Sequence, residues 1–291
     1  MPQLTTMLQS INHGLLAADR TPLVWQSWLP AQPRAAVLLL HGYSEYGGRY
    51  HHVIQAFAAQ GYAVVAPDLR GHGRSGGIRA DVPRFDLFAD DVAQIRQAAA
   101  LEIGDLPCFV VAHSMGGLVA LQYALAHQAT LAGLVVSSAA LDIGAGVSPW
   151  LRRASRVVAR LAPQRPVLPS STELLLSRDP DVQRRFDADP LCYHGRVKAR
   201  MGYQLLLATT ALTPRLAELT LPLLVMHGTH DRIAAAVGSE RMAAQARSAD
   251  ATLKLWPEAL HELFNETNRD EVIAYVLAWL DARTQGTDDG G

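Results

Sequence analysis

The sequence holds only two lysines, Lys198 and Lys254, and two cysteines, Cys108 and Cys192, in 291 residues. Two cysteines this far apart do not make a disulfide framework. Charge is scarce at 18% and nearly balanced, with 26 Lys+Arg against 27 Asp+Glu. A formal net charge of −1 gives no overall case for nucleic-acid binding. No run reaches the ~18 uninterrupted apolar residues of a membrane span. The first thirteen residues lack the basic-then-apolar order of a secretory signal, so a cytoplasmic protein is expected. Internal repeats and charge blocks are missing too, while 49% hydrophobic residues supply a sizeable core and argue against disorder.

What is present is alternation. Short apolar runs fall at 36–40 (AVLLL), 62–66 (YAVVA), 108–112 (CFVVA), 133–137 (GLVVS), 223–226 (LLVM) and, more weakly, 252–256 (TLKLW). Continuous rather than alternating hydrophobicity fits strands buried on both faces. Helical patterns lie between them at about 50–60, 87–101, 115–128, 238–247 and 269–283. The order predicts an α/β protein with a mostly parallel central sheet flanked by helices. Residues 21–29 (TPLVWQSWL) alternate and are expected as an antiparallel edge strand, and the final eight residues as a frayed tail. From 142 to 212 no strand is legible, and prolines stand at 149, 163, 166, 169, 180 and 190. So long a connection is best explained as a helical cap, residues 142–212, inserted into a core formed by 1–141 and 213–291.

The run CFVVA leads directly into His113-Ser114-Met115-Gly116-Gly117 and then LVALQYALA. Strand, sharp turn and helix form the setting in which G-x-S-x-G marks an exposed nucleophilic serine. Small residues must stand two positions away on each side, here Ala112 and Gly116, with alanine replacing the usual first glycine. Ser114 needs a base, and the base needs an acid, arriving in the order Ser, Asp/Glu, His. LLVM is followed by His227-Gly228-Thr229-His230-Asp231, and TLKLW by Pro257-Glu258-Ala259-Leu260-His261. Asp231 and His261 therefore fall on the same sheet rim as Ser114. Asp142, just past GLVVS, is the alternative acid. His113 and His230 are rival bases, with His230 expected to shape the acid loop. The backbone N–H of Met115, with that of Tyr43 in the loop after AVLLL, is expected to form an oxyanion hole.

Gly71-His72-Gly73-Arg74-Ser75-Gly76 matches G-x-G-x-x-G, but no apolar helix follows and Pro83 comes soon after. A dinucleotide fingerprint would open a helix at once, so no nicotinamide or flavin is expected. Acyl transfer through a serine requires no metal or organic cofactor.

Taken together, HGYSEYGGRY, DLRGHGRSGG, AHSMGGLVA, HGTHDR and HELFNE resemble the monoacylglycerol lipase and lysophospholipase group of α/β-hydrolases, from about residue 36 to 280. SRDPDV and DADPL are similar to cap segments of bacterial members. The resemblance implies the α/β-hydrolase fold and a triad of Ser114, Asp231 and His261. It implies cleavage of a monoacylglycerol to glycerol and fatty acid, with lysophospholipase or carboxylesterase activity as alternatives. A peptidase would need a site for a free amino terminus, and epoxide hydrolases and dehalogenases need an acidic nucleophile. A non-catalytic relative that binds a hydrophobic ligand is the remaining rival. The family's Glu and Arg near the polar head group match Glu45 and Arg49, for which a pair that only braces the loop is the competing reading.

Within the expected cap, 148–163 (SPWLRRASRVVARLAP) is amphipathic. At ~100° per residue, Trp150, Leu151, Ala154, Val157, Val158 and Leu161 share an arc of roughly 120°. Arg152, Arg153, Arg156 and Arg160 lie on the other side. The apolar face is expected to roof an acyl pocket; the sharper alternative is contact with an anionic lipid surface, giving a peripheral association. Residues 142–212 carry 11 basic and 6 acidic side chains, so the near-zero total hides a cationic insertion.

Overall fold

The computed structural model describes residues 9–143, 147–169 and 175–284. The expected C-terminal tail lies, but for Thr284, outside the described residues. Eight strands make one sheet in the order β1-β2-β4-β3-β5-β6-β9-β10. They are β1 (Ile11–Leu16), β2 (Pro22–Trp28), β3 (Ala35–Leu40), β4 (Tyr62–Asp68), β5 (Cys108–His113), β6 (Gly133–Ser137), β9 (Leu223–Gly228) and β10 (Ala251–Trp256). The pairs from β4 through β10 are parallel; β2 runs antiparallel to both β1 and β4.

The runs AVLLL, YAVVA and CFVVA are continuous because both sheet faces are covered. Ala36, Leu38 and Leu40 pack into one apolar layer, Val37 and Leu39 into the other. Helices α1 (His51–Ala59) and α8 (Arg269–Thr284) cover the second face. Helices α2 (Asp86–Ile103), α3 (Met115–His127) and α7 (Ala236–Gln245) cover the first. This is the α/β-hydrolase fold. The segment 22–28 is not the edge, as alternation suggested: β1 lies outside it, paired from Ile11↔Ser27 to Leu16↔Pro22. With a glycine at its centre and largely solvated side chains, β1 has no apolar run to announce it. After Gly71–Gly76 the chain stays irregular until α2 begins at Asp86.

Between β6 and β9 the chain leaves the sheet and forms α4 (Pro149–Leu161), β7 (Pro166–Leu168), α5 (Pro180–Ala188), β8 (Val197–Lys198) and α6 (Ala199–Leu212). The antiparallel β7–β8 ribbon corrects the expectation that this region lacks strands. Its strands are too short and exposed to register as apolar runs. Polar ties hold the later part of this segment to the sheet domain. Arg200 pairs with Asp81 at 2.6 Å, Lys198 Nζ donates to the Arg79 carbonyl at 2.6 Å, and Arg178 pairs with Glu266 at 3.0 Å. One of the chain's two lysines is thus spent on anchoring the insertion.

Helix α4 is three-sided, which also corrects expectation. Ala159 is buried, and Arg152 reaches the Thr210 hydroxyl of α6 at 3.1 Å. Arg153, Arg156 and Arg160 are exposed. Of the apolar stripe, Leu151, Ala154 and Val158 line a groove shared with β7 and α6, whereas Trp150 and Leu161 stand 69% and 78% exposed.

Candidate active site

Strand β5 ends in a turn that forces Ser114 to φ 53°, ψ −117°, a region costly for a side-chain-bearing residue. Such strain persists only where the surroundings over-determine it. Here the Ser114 N–H donates to the Ser137 carbonyl at 2.9 Å, continuing the β5–β6 ladder. Gly116 lets α3 pass close to β3: a Cβ there would lie 2.4 Å from the His41 carbonyl oxygen and 2.6 Å from that of Leu40. Ala112, two residues before the serine, is buried within the ladder, so the methyl group is accommodated.

His261, in the loop after β10, brings Nε2 to 2.9 Å from Ser114 Oγ. Its Nδ1 lies 2.7 Å from Asp231 Oδ2, in the loop after β9. Asp231 Oδ1 accepts the N–H groups of Ile233 (2.8 Å) and Ala234 (3.1 Å), and Oδ2 also faces His227 Nε2 at 3.0 Å. Burial would raise the Asp231 pKa, but charged His261 and the His227 hydrogen bond hold it well below the usual carboxylate range. For His261 burial opposes the charged form, yet the Asp231 charge and hydrogen bond outweigh it, aided by Glu262 and Glu45, and its pKa is raised. The three side chains form a continuous path along which a proton can pass from hydroxyl to imidazole while the carboxylate fixes the ring.

The alternatives separate. Asp142 is partly exposed, and its backbone packs beside Gly238. His113 is buried edge-on to His261 at 4.7 Å between ring centroids, and burial followed by the His261 charge pushes its pKa down to about 3. His230 is exposed, so the histidine that shapes the acid loop is His227, contrary to expectation. No pattern distinguished these two histidines, because only the fold reveals that one lies within a buried strand.

Glu45 and Arg49 do meet, and a residue missed in the sequence joins them. Arg49 donates to Glu45 Oε2 at 2.6 Å and to both oxygens of Glu262 at 2.8 and 2.9 Å. Glu45 Oε1 accepts the Gly42 N–H and the Tyr50 hydroxyl, each at 2.7 Å, and Glu262 accepts Asn265 Nδ2 at 2.7 Å. Burial, with Glu262 nearby, raises the Glu45 pKa. Burial also opposes ionisation of Glu262, but the bidentate Arg49 contact holds its pKa down. The only available signal for Glu262 was its place directly after His261; its partner lies 213 residues earlier.

These groups border a cavity of about 320 Å³ between the sheet rim and the insertion. Ser114, His261, Glu45 and Glu262 line one side; Ile143, Leu168, Leu176, Phe186, Leu205 and Ile233 supply apolar walls. Tyr43 and Met115 border the same space. Met115 is the first residue of α3, so its N–H has no intrahelical acceptor. A second cavity of about 370 Å³, beneath α4, shares Ile143 and Leu168 with the first.

The Serine aminopeptidase, S33 family profile matches residues 31–268. A monoacylglycerol lipase of Mycolicibacterium smegmatis is 37% identical over 269 residues, 92% of this chain and 96% of that protein. Monoglyceride lipase of Homo sapiens is 30% identical over 280 residues, 95% and 92% of the two chains. In three dimensions, a crystal structure of Paleococcus ferrophilus monoacylglycerol lipase superimposes with a TM-score of 0.79 at 24% identity, covering 95% of this chain and 100% of that one. The family match runs from before β3 to the start of α8 and takes in both loops that carry Asp231 and His261, and on it the chain belongs to the serine aminopeptidase S33 family of α/β-hydrolases.

Proposed function

We propose that the protein is a monoacylglycerol hydrolase that works through an acyl-enzyme on Ser114. The observation that carries this reading is the 37% identity, across nearly the full length of both chains, to a monoacylglycerol lipase. The side-chain geometry supports it. His261 removes the Ser114 proton as Oγ attacks the ester carbonyl, and Asp231 fixes the tautomer and offsets the imidazolium charge. The N–H groups of Tyr43 and Met115 receive the oxyanion. His261 then gives its proton to the departing glycerol oxygen. Water attacks the acyl-enzyme, the new oxyanion collapses and the fatty acid leaves with Ser114 restored.

Glu45 and Glu262 face the leaving-group side of the cavity, where their spare lone pairs can accept glycerol hydroxyls, while Arg49 holds both carboxylates from behind. The same pairing weighs against aminopeptidase action despite the family's description. Both carboxylates that would receive a substrate ammonium already share the Arg49 guanidinium, which offsets one of their two charges.

Residues 142–212 form the cap over this cavity, with 1–141 and 213–291 as the catalytic core. Exposed Trp150 and Leu161 beside Arg153, Arg156 and Arg160 suit transient, peripheral contact with an anionic lipid surface. Among the described residues no helix is long and apolar enough to cross a membrane. The reading is tested by assaying the purified protein on monoacylglycerols with and without Ser114→Ala. Release of glycerol that Ser114→Ala abolishes is expected, together with fluorophosphonate labelling of Ser114. Cleavage of aminoacyl substrates in preference to monoacylglycerols would overturn it.

A further inference from the structure

We infer that His227 is a positioning residue, a second imidazole that holds Asp231 in the orientation His261 requires. The inference rests on reading Ser114, His261 and Asp231 as the catalytic triad. His227 is the penultimate residue of β9, is fully buried and does not line the substrate cavity. Its Nε2 lies 3.0 Å from Asp231 Oδ2 and 3.0 Å from the Ala234 carbonyl oxygen. Both of those atoms can only accept, so Nε2 carries a proton. Nδ1 lies 2.7 Å from the hydroxyl of Ser239, itself fully buried in α7, which can donate to the bare nitrogen. Ser239 thus selects the tautomer of His227, whose single Nε2–H is hydrogen-bonded to the Ala234 carbonyl and shared with the acid 3.0 Å away.

The consequence for Asp231 is geometric. Oδ1 is pinned by two backbone amides and Oδ2 by two imidazoles, so the carboxylate cannot rotate without breaking hydrogen bonds in a dry site. The consequence is also electrostatic. A carboxylate whose charge is shared with His227 binds the His261 proton less tightly than one facing His261 alone. Besides Asp231, the groups that act on His261 are Glu262 and Glu45, which favour its charged form, and buried His113. The polar contacts of His227 run to Ser239, Ala234 and Asp231 and not to those groups, so altering it isolates the contribution through the acid.

The test compares His227→Leu, which removes the donor, with His227→Gln, whose side-chain amide can occupy the place of Nε2. Each variant is assayed on a monoacylglycerol from about pH 5 to 9, with kcat and KM separated. For H227L the expected result is a kcat about tenfold lower, an unchanged KM, and an acid limb of kcat/KM moved upward by roughly half a pH unit. H227Q should return the limb most of the way to wild type. If H227L fails to fold, Ser239→Ala carries the test, with a smaller shift in the same direction expected. Limbs that coincide with wild type in the folded variants would overturn the role assigned to His227. Asp231→Asn, run alongside, separates the two readings. If D231N collapses activity while the His227 and Ser239 variants leave it intact, only this inference fails. If D231N is fully active, the triad assignment itself fails.

Discussion

Replacing Arg49 by methionine tests whether the ion cluster beside the cavity is as tightly balanced as its geometry indicates. The side chains of Arg49, Glu45 and Glu262 are 9%, 3% and 5% exposed, so solvent screens them little. Methionine keeps much of the bulk but leaves two carboxylates in a dry site without their shared cation. Breaking a buried pair by removing one partner costs about 3–5 kcal/mol. At roughly 2–4 °C per kcal/mol for large domains, the melting temperature should fall by about 6–20 °C near pH 8. The sign of the pH dependence follows from burial. Without Arg49, both folded-state carboxyl pKa values rise above their unfolded values near 4.5. The penalty is therefore full above the raised folded pKa values and shrinks as pH falls toward the unfolded value. Paired thermal or urea melts of wild type and Arg49→Met at pH 5, 6.5 and 8 measure this. A deficit below about 1 kcal/mol, or one that does not change with pH, would refute the reasoning.

Three further outcomes follow from the same geometry. Gly116→Ala sets a methyl group against two backbone oxygens that cannot yield, at 2.4 and 2.6 Å, and should cost about 1–3 kcal/mol with an activity loss of about 100-fold. Near-wild-type melting and kcat would contradict the close α3–β3 approach. Glu262→Gln removes a negative charge that raises the His261 pKa, so activity should persist to lower pH; an acid limb that stays put or moves upward counts against it. Reversing the charges of Arg153, Arg156 and Arg160 should weaken partitioning onto anionic liposomes and lower activity on aggregated substrate while sparing dispersed substrate. Unchanged partitioning would discard the lipid-surface role of α4.

The legible parts of the fold were those buried on both sides. AVLLL, CFVVA and GLVVS carry no alternation because helices cover both faces, so each run announced its strand. The order Ser114, Asp231, His261 could be read because Ser114 and Asp231 follow such runs and His261 follows the weaker, half-exposed edge strand β10, and parallel strands deliver the following loops to one rim. Strand β1 and the β7–β8 ribbon escaped because exposed or very short strands need no apolar run. The orientation of α4 escaped for another reason: its apolar arc was visible, but not that Ala159, outside that arc, would be buried, that Arg152 would reach α6, or that Trp150 and Leu161 of the arc would stay exposed. Contacts across distant sequence were the least accessible. Arg49 with Glu262 depends on the full path of the chain, and the choice between His227 and His230 depends on which of two nearby side chains remains inside the sheet.

The central claim is tested most directly by competing a monoacylglycerol with a lysophosphatidylcholine and a diacylglycerol of the same acyl chain. The kcat/KM ratios of wild type are read against a Ser114→Ala baseline. The account predicts the highest kcat/KM for the monoacylglycerol, with every activity lost in Ser114→Ala. Preference for the diacylglycerol or the lysophospholipid, or turnover that survives Ser114→Ala, would contradict it.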